Sequence, residues 1–135
     1  TQRAMPYLKD SQPGAIINIA AVAGIRAEGN FLSYNVAKAG VRMMSKSIAL
    51  HCAKAGYQIT CNSVHPVFTR TAIIEPMTHL AGSPEEGEAK LARQIPLKRI
   101  GEPQDIGHMV VYLASDEAKF ITGTEFVADG GLTAR

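Results

Sequence analysis

The sequence lacks tryptophan, a marked excess of either charge and any long apolar run. Fourteen Lys and Arg residues against twelve Asp and Glu residues give the 135-residue chain a net charge of only +2. That bias is too weak to indicate nucleic acid or an anionic membrane as a partner. No apolar stretch approaches the roughly 18 residues that cross a bilayer. With 46% hydrophobic and 19% charged residues, the composition is that of an ordinary globular chain.

Cysteine and histidine are also sparse. Cys52 and Cys61 lie within apolar segments and predict neither a disulfide framework nor a metal knuckle. The four histidines share no metal-ligand spacing, so no metal site is predicted. No basic segment followed by an apolar one opens the printed sequence. We therefore expect no secretory signal, and a cytoplasmic protein with reduced thiols.

What the sequence contains is an alternation of apolar runs and helical periodicities. Strands are predicted over 15–21, 59–65 and 124–129. Helices are predicted up to residue 9, over 33–55 and 84–95, and from 103 onwards, whereas 69–84 is predicted to be irregular. This order is that of a doubly wound parallel α/β sheet. The short chain, without repeats or a linker, predicts a single domain over residues 1–135.

The helix predicted over 33–55 has an unusually broad apolar arc. Its predicted inward stripe consists of Ala37, Val41, Met44, Ile48 and Cys52. A second row of small and apolar residues lies beside it: Val36, Gly40, Met43, Ser47 and Leu50. The width of the arc predicts a helix that is covered both by its own sheet and by a partner chain.

Tyr34 and Lys38 are the candidate catalytic pair. Four residues apart on a helix, their side chains lie one turn apart on the same face. A phenol with its ordinary pKa of about 10 is a poor acid or base at neutral pH. A nearby ammonium favours the phenolate and lowers that pKa, so the pair could shuttle a proton to or from an alcohol oxygen. Such a spacing also occurs on ordinary helix surfaces, and the pair alone does not establish a site.

Four motifs occur in one order and place this pair in context: Asn18–Gly24, Tyr34 with Lys38, Asn62–Pro66 and Asp129–Gly131. Together they closely resemble the C-terminal half of the short-chain dehydrogenase/reductase family, over essentially the whole chain. The stretches 49–66 and 99–115 are similar to bacterial secondary-alcohol, cyclopentanol and hydroxysteroid dehydrogenases. The resemblance implies that residues 1–135 form the C-terminal half of a Rossmann-type sheet, a partial domain without the nucleotide-phosphate-binding half. No glycine-rich phosphate motif can be read in the chain.

The resemblance implies an oxidoreductase that transfers a hydride between NAD or NADP and a secondary alcohol or ketone. Tyr34 would be the general acid/base, and Lys38 would lower its pKa and bind the nicotinamide ribose. Pro66 and the backbone after it would bind the nicotinamide carboxamide, assisted by Thr71. The implied cofactor-binding set is Tyr34, Lys38, Pro66, Val67, Thr69 and Thr71. A homotetramer is implied by the likeness of helix 33–55 to the family's helix-to-helix interface.

Two positions depart from the family pattern. Ala21 stands where the family has a catalytic serine, and neighbouring Ala20 offers no substitute hydroxyl. Losing one such hydrogen-bond donor typically costs about a hundred- to a thousandfold in rate. Val67 stands where a glycine usually follows the proline, and its side chain is expected to crowd the nicotinamide or to shift the loop.

A second interpretation belongs to another functional class. Ala21, Val67 and the lack of the nucleotide half also fit a catalytically inactive relative or fragment that acts as an oligomerisation or binding module. A serine removed by design would look the same. The sequence leaves open the substrate, the stereochemistry and the choice between NAD and NADP.

Overall fold

Three parallel strands organise the chain in the computed structural model, which describes residues 1–79 and 82–134. Their order across the sheet is β1 (Gly14–Ile19), β2 (Ile59–Pro66) and β3 (Glu125–Ala128). The α-helices of the described ranges are α1 (Met5–Asp10), α2 (Leu32–Lys54), α3 (Glu75–His79), α4 (Pro84–Gln94) and α5 (Pro103–Ala114). The parallel sheet confirms the predicted α/β, Rossmann-type fold, with strand and helix ends within a few residues of those predicted.

Helix α2 covers one face of the sheet and α5 covers the other, because neighbouring residues of β2 point to opposite faces. Val64 packs with Leu113 of α5 in one buried cluster. On the opposite face, the Asn18 amide of β1 donates to Ser45 Oγ of α2 at 2.9 Å and contacts Cys61 Sγ at 3.7 Å. β2 is thus buried on both sides. The continuous apolar run of β1 predicts the same, but β1 is only half-buried and its last residue, Ile19, is exposed.

The inward stripe of α2 agrees only in part with the predicted one: Cys52 is buried, and Val41 and Ile48 are half-buried. The buried residues of this helix are Ser45, Ala49 and Cys52, whereas Ala37 and Met44 are exposed. Small residues allow the helix to approach the sheet closely, and the hydrogen bond from Asn18 to Ser45 fixes its rotation. Apolar periodicity could not show this, because a polar contact to the neighbouring strand decides which side faces inward.

The segment predicted to be irregular holds short helical turns. A 3₁₀ turn at Ala72–Ile74 leads directly into α3; residues 80 and 81 of this segment lie outside the described part. A Cβ atom at Gly87 of α4 would collide with the backbone of Thr78, so α3 and α4 are in close contact. Together they form a small layer with its own buried cluster of Ile74, Leu91, Ile95 and Ile100.

Both cysteines are free and buried. Burial raises the pKa of the Cys61 thiol to about 11, which disfavours the reactive thiolate. Among the described residues, no group of three or more His, Cys, Asp or Glu side chains is arranged to hold a metal ion. Within the same ranges, no helix combines the length and the apolar character needed to cross a membrane.

Candidate active site

The candidate site lies at the carboxyl edge of the sheet, where open α/β folds bind their ligands. The strands are parallel, so their carboxyl ends meet at one edge. Residues 20–24 follow β1, residues 67–71 follow β2, and residues 129–131 follow β3. The four motifs singled out in the sequence therefore converge on this edge, together with the first turns of α2.

Tyr34 and Lys38 lie on the N-terminal part of α2, as the helical spacing predicts. The Lys38 ammonium nitrogen is 5.7 Å from the centre of the Tyr34 ring. The same nitrogen donates a hydrogen bond, at 3.0 Å, to the carbonyl oxygen of Ile19, which is the last residue of β1. Lys38 therefore links α2 to the end of β1, while Tyr34 remains 38% exposed.

The pKa of Tyr34 is shifted in the direction opposite to the sequence expectation. Partial burial of the phenol raises its pKa above the ordinary value of 10, because the low-polarity surroundings disfavour the phenolate. The Lys38 ammonium is directed at the Ile19 carbonyl. In this arrangement Tyr34 is a protonated phenol, the form that can give a proton to a carbonyl oxygen.

Ala21 begins a 3₁₀ turn at Val22–Gly24 that is fixed from two sides. Its carbonyl oxygen accepts the Gly24 N–H at 2.9 Å and lies 3.1 Å from Nδ1 of His65. A Cβ atom at Gly24 would come within 2.7 Å of the Lys38 carbonyl group, so this turn and α2 are in backbone contact. The turn thereby places Ala21, the predicted serine position, beside the helix that carries Tyr34.

The sequence analysis did not identify His65 as part of this site. His65 and Ser63 are both buried, and Ser63 Oγ lies 2.8 Å from His65 Nε2. The usable signal was the two-residue spacing of a hydroxyl and an imidazole on one face of a buried strand. Nothing in that pattern indicates Ala21 as the second partner, because the contact crosses from β2 to the end of β1.

The predicted cofactor-binding stretch 66–71 forms a separate wall of the edge. Val67 N–H donates to the Ala128 carbonyl at 3.4 Å, which continues the pairing of β2 with β3. Thr69 Oγ1 donates to the Val67 carbonyl at 2.9 Å, and Thr71 Oγ1 donates to the Thr69 carbonyl at 3.3 Å. These bonds run within the loop and to β3 rather than to Tyr34 or Lys38.

Val67 is accommodated without a glycine-specific backbone. The described non-glycine residue with positive φ is Lys98, so position 67 does not adopt the left-handed conformation that favours glycine. The Val67 side chain packs against the buried cluster beneath α4. It also lines a cavity of about 500 Å³ that extends towards Arg99 and Asp129. That Val67 crowds a bound nicotinamide stays a prediction.

Arg70 ties this loop to α4 and to the start of α5. Its guanidinium pairs with Glu88 through both terminal nitrogens, the Nη2 to Oε1 distance being 2.7 Å, and its Nε lies 3.0 Å from Glu102 Oε1. Because Arg70 is exposed, the two pairs stand in solvent. We refer to Arg70, Glu88 and Glu102 as the Arg70 clasp.

Comparison with known proteins gives one consistent family. The model of the enoyl-(acyl carrier protein) reductase family matches residues 1–133. An NADP-dependent (R)-specific alcohol dehydrogenase of Lentilactobacillus kefiri is 40% identical over 100% of this chain and 52% of its own length. A 7alpha-hydroxysteroid dehydrogenase of Bacteroides fragilis is 35% identical over 98% of this chain and 49% of its own length.

A solved structure agrees in fold over almost the whole chain. Ligand-free aldohexose dehydrogenase of Thermoplasma acidophilum superposes with a TM-score of 0.91 at 34% identity, over 99% of this chain and 53% of that one. The chain spans about half the length of the curated relatives it matches. Its motifs, its parallel sheet and these matches agree, and the chain belongs to the short-chain dehydrogenase/reductase family.

Proposed function

We propose that residues 1–135 are a single partial domain, the C-terminal half of an NAD(P)-dependent oxidoreductase acting on a secondary alcohol or ketone. The observation that carries the proposal is the pairing of Tyr34 with Lys38 at the carboxyl edge of β1, with the ammonium held by the Ile19 carbonyl. Relatives named as an NADP-dependent alcohol dehydrogenase and a hydroxysteroid dehydrogenase support this substrate class.

The residues present fit the nicotinamide half of such a cofactor. A lysine ammonium has three donors, and one bond to the Ile19 carbonyl leaves others for the hydroxyls of a ribose. The loop after β2 offers backbone groups and the hydroxyls of Thr69 and Thr71 at the same sheet edge. We assign the cofactor contacts to Tyr34, Lys38, Pro66, Val67, Thr69 and Thr71.

Tyr34 would carry the acid/base chemistry. The nicotinamide, when bound, supplies or accepts the hydride. The Tyr34 hydroxyl gives its proton to the substrate oxygen during reduction and takes it back during oxidation. Burial raises the pKa of Tyr34, so the phenol is in the proton-donating form that reduction requires. Ala21 cannot donate a hydrogen bond to the substrate oxygen, so we expect turnover far below that of a serine-bearing site.

Assembly and location complete this proposal. The outward face of α2 exposes Val36, Met43 and Leu50, at 66%, 58% and 72% of their surface. These residues are seven positions apart and so lie along one side of the helix. An exposed apolar helix face is typical of a protein interface, which supports the homotetramer. The free thiols support a cytoplasmic protein. The near-neutral charge favours a small-molecule substrate over nucleic acid or a membrane as the partner.

A second candidate function is an oligomerisation or binding module without catalysis. Two observations favour it: position 21 has no hydroxyl, and the outward apolar row of α2 is exposed. In that case cofactor binding would be absent while self-association would be retained.

The two candidates are separated in the longest natural polypeptide that carries this chain. We expect NADPH or NADH fluorescence to change on mixing, and Tyr34→Phe to lower turnover of secondary alcohols about 10²- to 10⁴-fold. Cofactor binding should largely remain in this variant, because the other five assigned contacts are unchanged. Tyr7→Phe, at an exposed ring on α1, is the matched control and should be neutral. Absence of binding at millimolar cofactor would favour the module, and undiminished turnover in Tyr34→Phe would reject Tyr34 as the acid/base.

A further inference from the structure

We propose that His65 is a positioning residue for the turn at residues 21–24, and that its Nδ1–H holds the Ala21 carbonyl so that residue 21 keeps its place beside the helix that carries Tyr34. The inference rests on the proposed function of this site and adds a residue to it. His65 is fully buried, at 0% exposure, so it acts through Ala21 and does not touch a substrate.

The hydrogen-bond partners of His65 define which nitrogen carries the proton. A carbonyl oxygen can only accept, so the 3.1 Å contact between Nδ1 and Ala21 requires a proton on Nδ1. In a neutral ring Nε2 is then an acceptor, and it receives the Ser63 hydroxyl at 2.8 Å. Burial lowers the pKa of His65, which keeps the ring neutral at pH 7. Both ring nitrogens are thus satisfied in one tautomer.

The Ala21 carbonyl is the point where this contact enters the site. It also accepts a hydrogen bond from the Gly24 N–H. The Gly24 backbone in turn packs closely against the Lys38 backbone of α2. The Lys38 ammonium in turn donates a hydrogen bond to the carbonyl of Ile19, two residues before Ala21. These contacts join residues 19–24 to α2, and His65 adds a hydrogen bond from β2 to the same turn.

The position of His65 in the chain extends its effect to the other wall of the edge. Pro66, the first residue of the proposed nicotinamide wall, follows it directly. One buried side chain therefore fixes residue 21 relative to the strand end that leads into this wall. A loss of the Nδ1 contact should loosen the turn while leaving the pairing of β1 with β2 in place, because that pairing ends at Ile19 and Val64.

Two substitutions of His65 separate its two nitrogens. Asn places an amide near Nδ1 and can keep the donor to Ala21, whereas Gln places its amide near Nε2 and cannot. The readout is the gain in turnover caused by Ala21→Ser in each background of the full polypeptide, because a restored hydroxyl helps only where residue 21 is correctly placed. His51→Asn, at an exposed histidine of α2, is the control background.

We expect Ala21→Ser to raise turnover by about a hundredfold in the native, His51→Asn and His65→Asn backgrounds. In His65→Gln the gain should fall below about tenfold, since residues in one hydrogen-bond network are not additive. An equal gain in His65→Gln and His65→Asn would overturn the proposal. If His65→Gln does not fold, the ring tautomer decides, because a neutral ring with its proton on Nε2 cannot donate to the Ala21 carbonyl and would overturn the proposal.

A second measurement does not depend on activity. Nitrogen-15 NMR of the imidazole should show a neutral ring with its proton on Nδ1 at pH 7, retained in Ala21→Ser. A proton on Nε2 would overturn the proposal even if the enzyme is active. Failure of Ala21→Ser to raise turnover in the native background contradicts the proposed function instead, and the tautomer still decides the role of His65.

Discussion

The turn that carries Ala21 and the layer formed by α3 and α4 are held in place by different forces. At the turn, the contacts are buried hydrogen bonds and a backbone-to-backbone approach involving His65, Gly24 and Lys38. The α3/α4 layer has a small apolar core, and the Arg70 clasp that fastens it to the loop after β2 stands in solvent. Both regions border the carboxyl edge of the sheet.

The turn is therefore expected to be rigid, whereas the attachment of the α3/α4 layer is expected to depend on ionic strength. Buried hydrogen bonds are little screened, and leaving one partner unpaired is costly. Exposed ion pairs contribute little individually and weaken with salt. We therefore expect the turn to keep its geometry across ionic strengths, while the attachment of α4 responds to them. In enzymes generally, loops that border an active site can gate ligand entry and contribute to specificity.

The largest expected effect tests whether the turn holds residue 21 in position for catalysis. Ala21→Ser should raise turnover by about a hundredfold, because it supplies the missing donor to the substrate oxygen on a turn that is already positioned. Steady-state assays on a panel of secondary alcohols measure it. Ala23→Ser, in the same turn, is the control and should not raise turnover. Unchanged turnover in Ala21→Ser would mean that position 21 does not face the reacting oxygen.

An added methyl group at Gly24 should disrupt the close contact between the turn and α2. In Gly24→Ala the new Cβ would lie 2.7 Å from the Lys38 carbonyl, so backbone must move and we expect a loss of about 1–3 kcal/mol in unfolding free energy. Chemical denaturation measures this loss. Gly107→Ala, where nothing lies within 4 Å, should instead be neutral or stabilising because alanine favours a helix. Equal stability of the two variants would contradict the close approach.

The smallest expected effect concerns the Arg70 clasp, which attaches α4 to the loop after β2. Arg70→Gln should accelerate amide hydrogen exchange in α4 by about two- to fivefold at low salt, because it removes the clasp to Glu88 and Glu102. At 1 M salt, native protein and variant should converge, since screening weakens the pairs in the native protein. Lys119→Gln removes a comparable exposed pair, with Asp116, away from α4 and serves as control. A difference that persists at high salt would contradict an electrostatic clasp.

Much of the fold could be predicted from the sequence because its signals are local. The continuous apolar runs of β1 and β2 and the proline at the start of α5 mark these elements within about two residues. The rotation of α2 could not be predicted from apolar periodicity. A hydrogen bond between Ser45 and Asn18, distant in the chain, decides which side of that helix faces the sheet.

For the candidate site, the sequence predicts which residues share a helical face but not the contacts that they make. Tyr34 and Lys38 are on one helical face, as i to i+4 geometry requires. The bond from Lys38 to the Ile19 carbonyl joins elements that only the folded chain brings together. The pKa of Tyr34 is raised and not lowered, because the phenol is partly buried, and helical spacing alone does not show that burial. His65 was missed because its partner lies at the end of another strand.

The bond between Lys38 and Ile19 has an entropic consequence. A free lysine side chain carries about 2 kcal/mol of rotamer entropy, much of which is lost when the ammonium is immobilised against a ligand. In this chain the ammonium is already held at 3.0 Å by a main-chain oxygen. A ligand that binds here meets a lysine whose rotamers folding has already restricted, and more of its contact energy remains available as affinity.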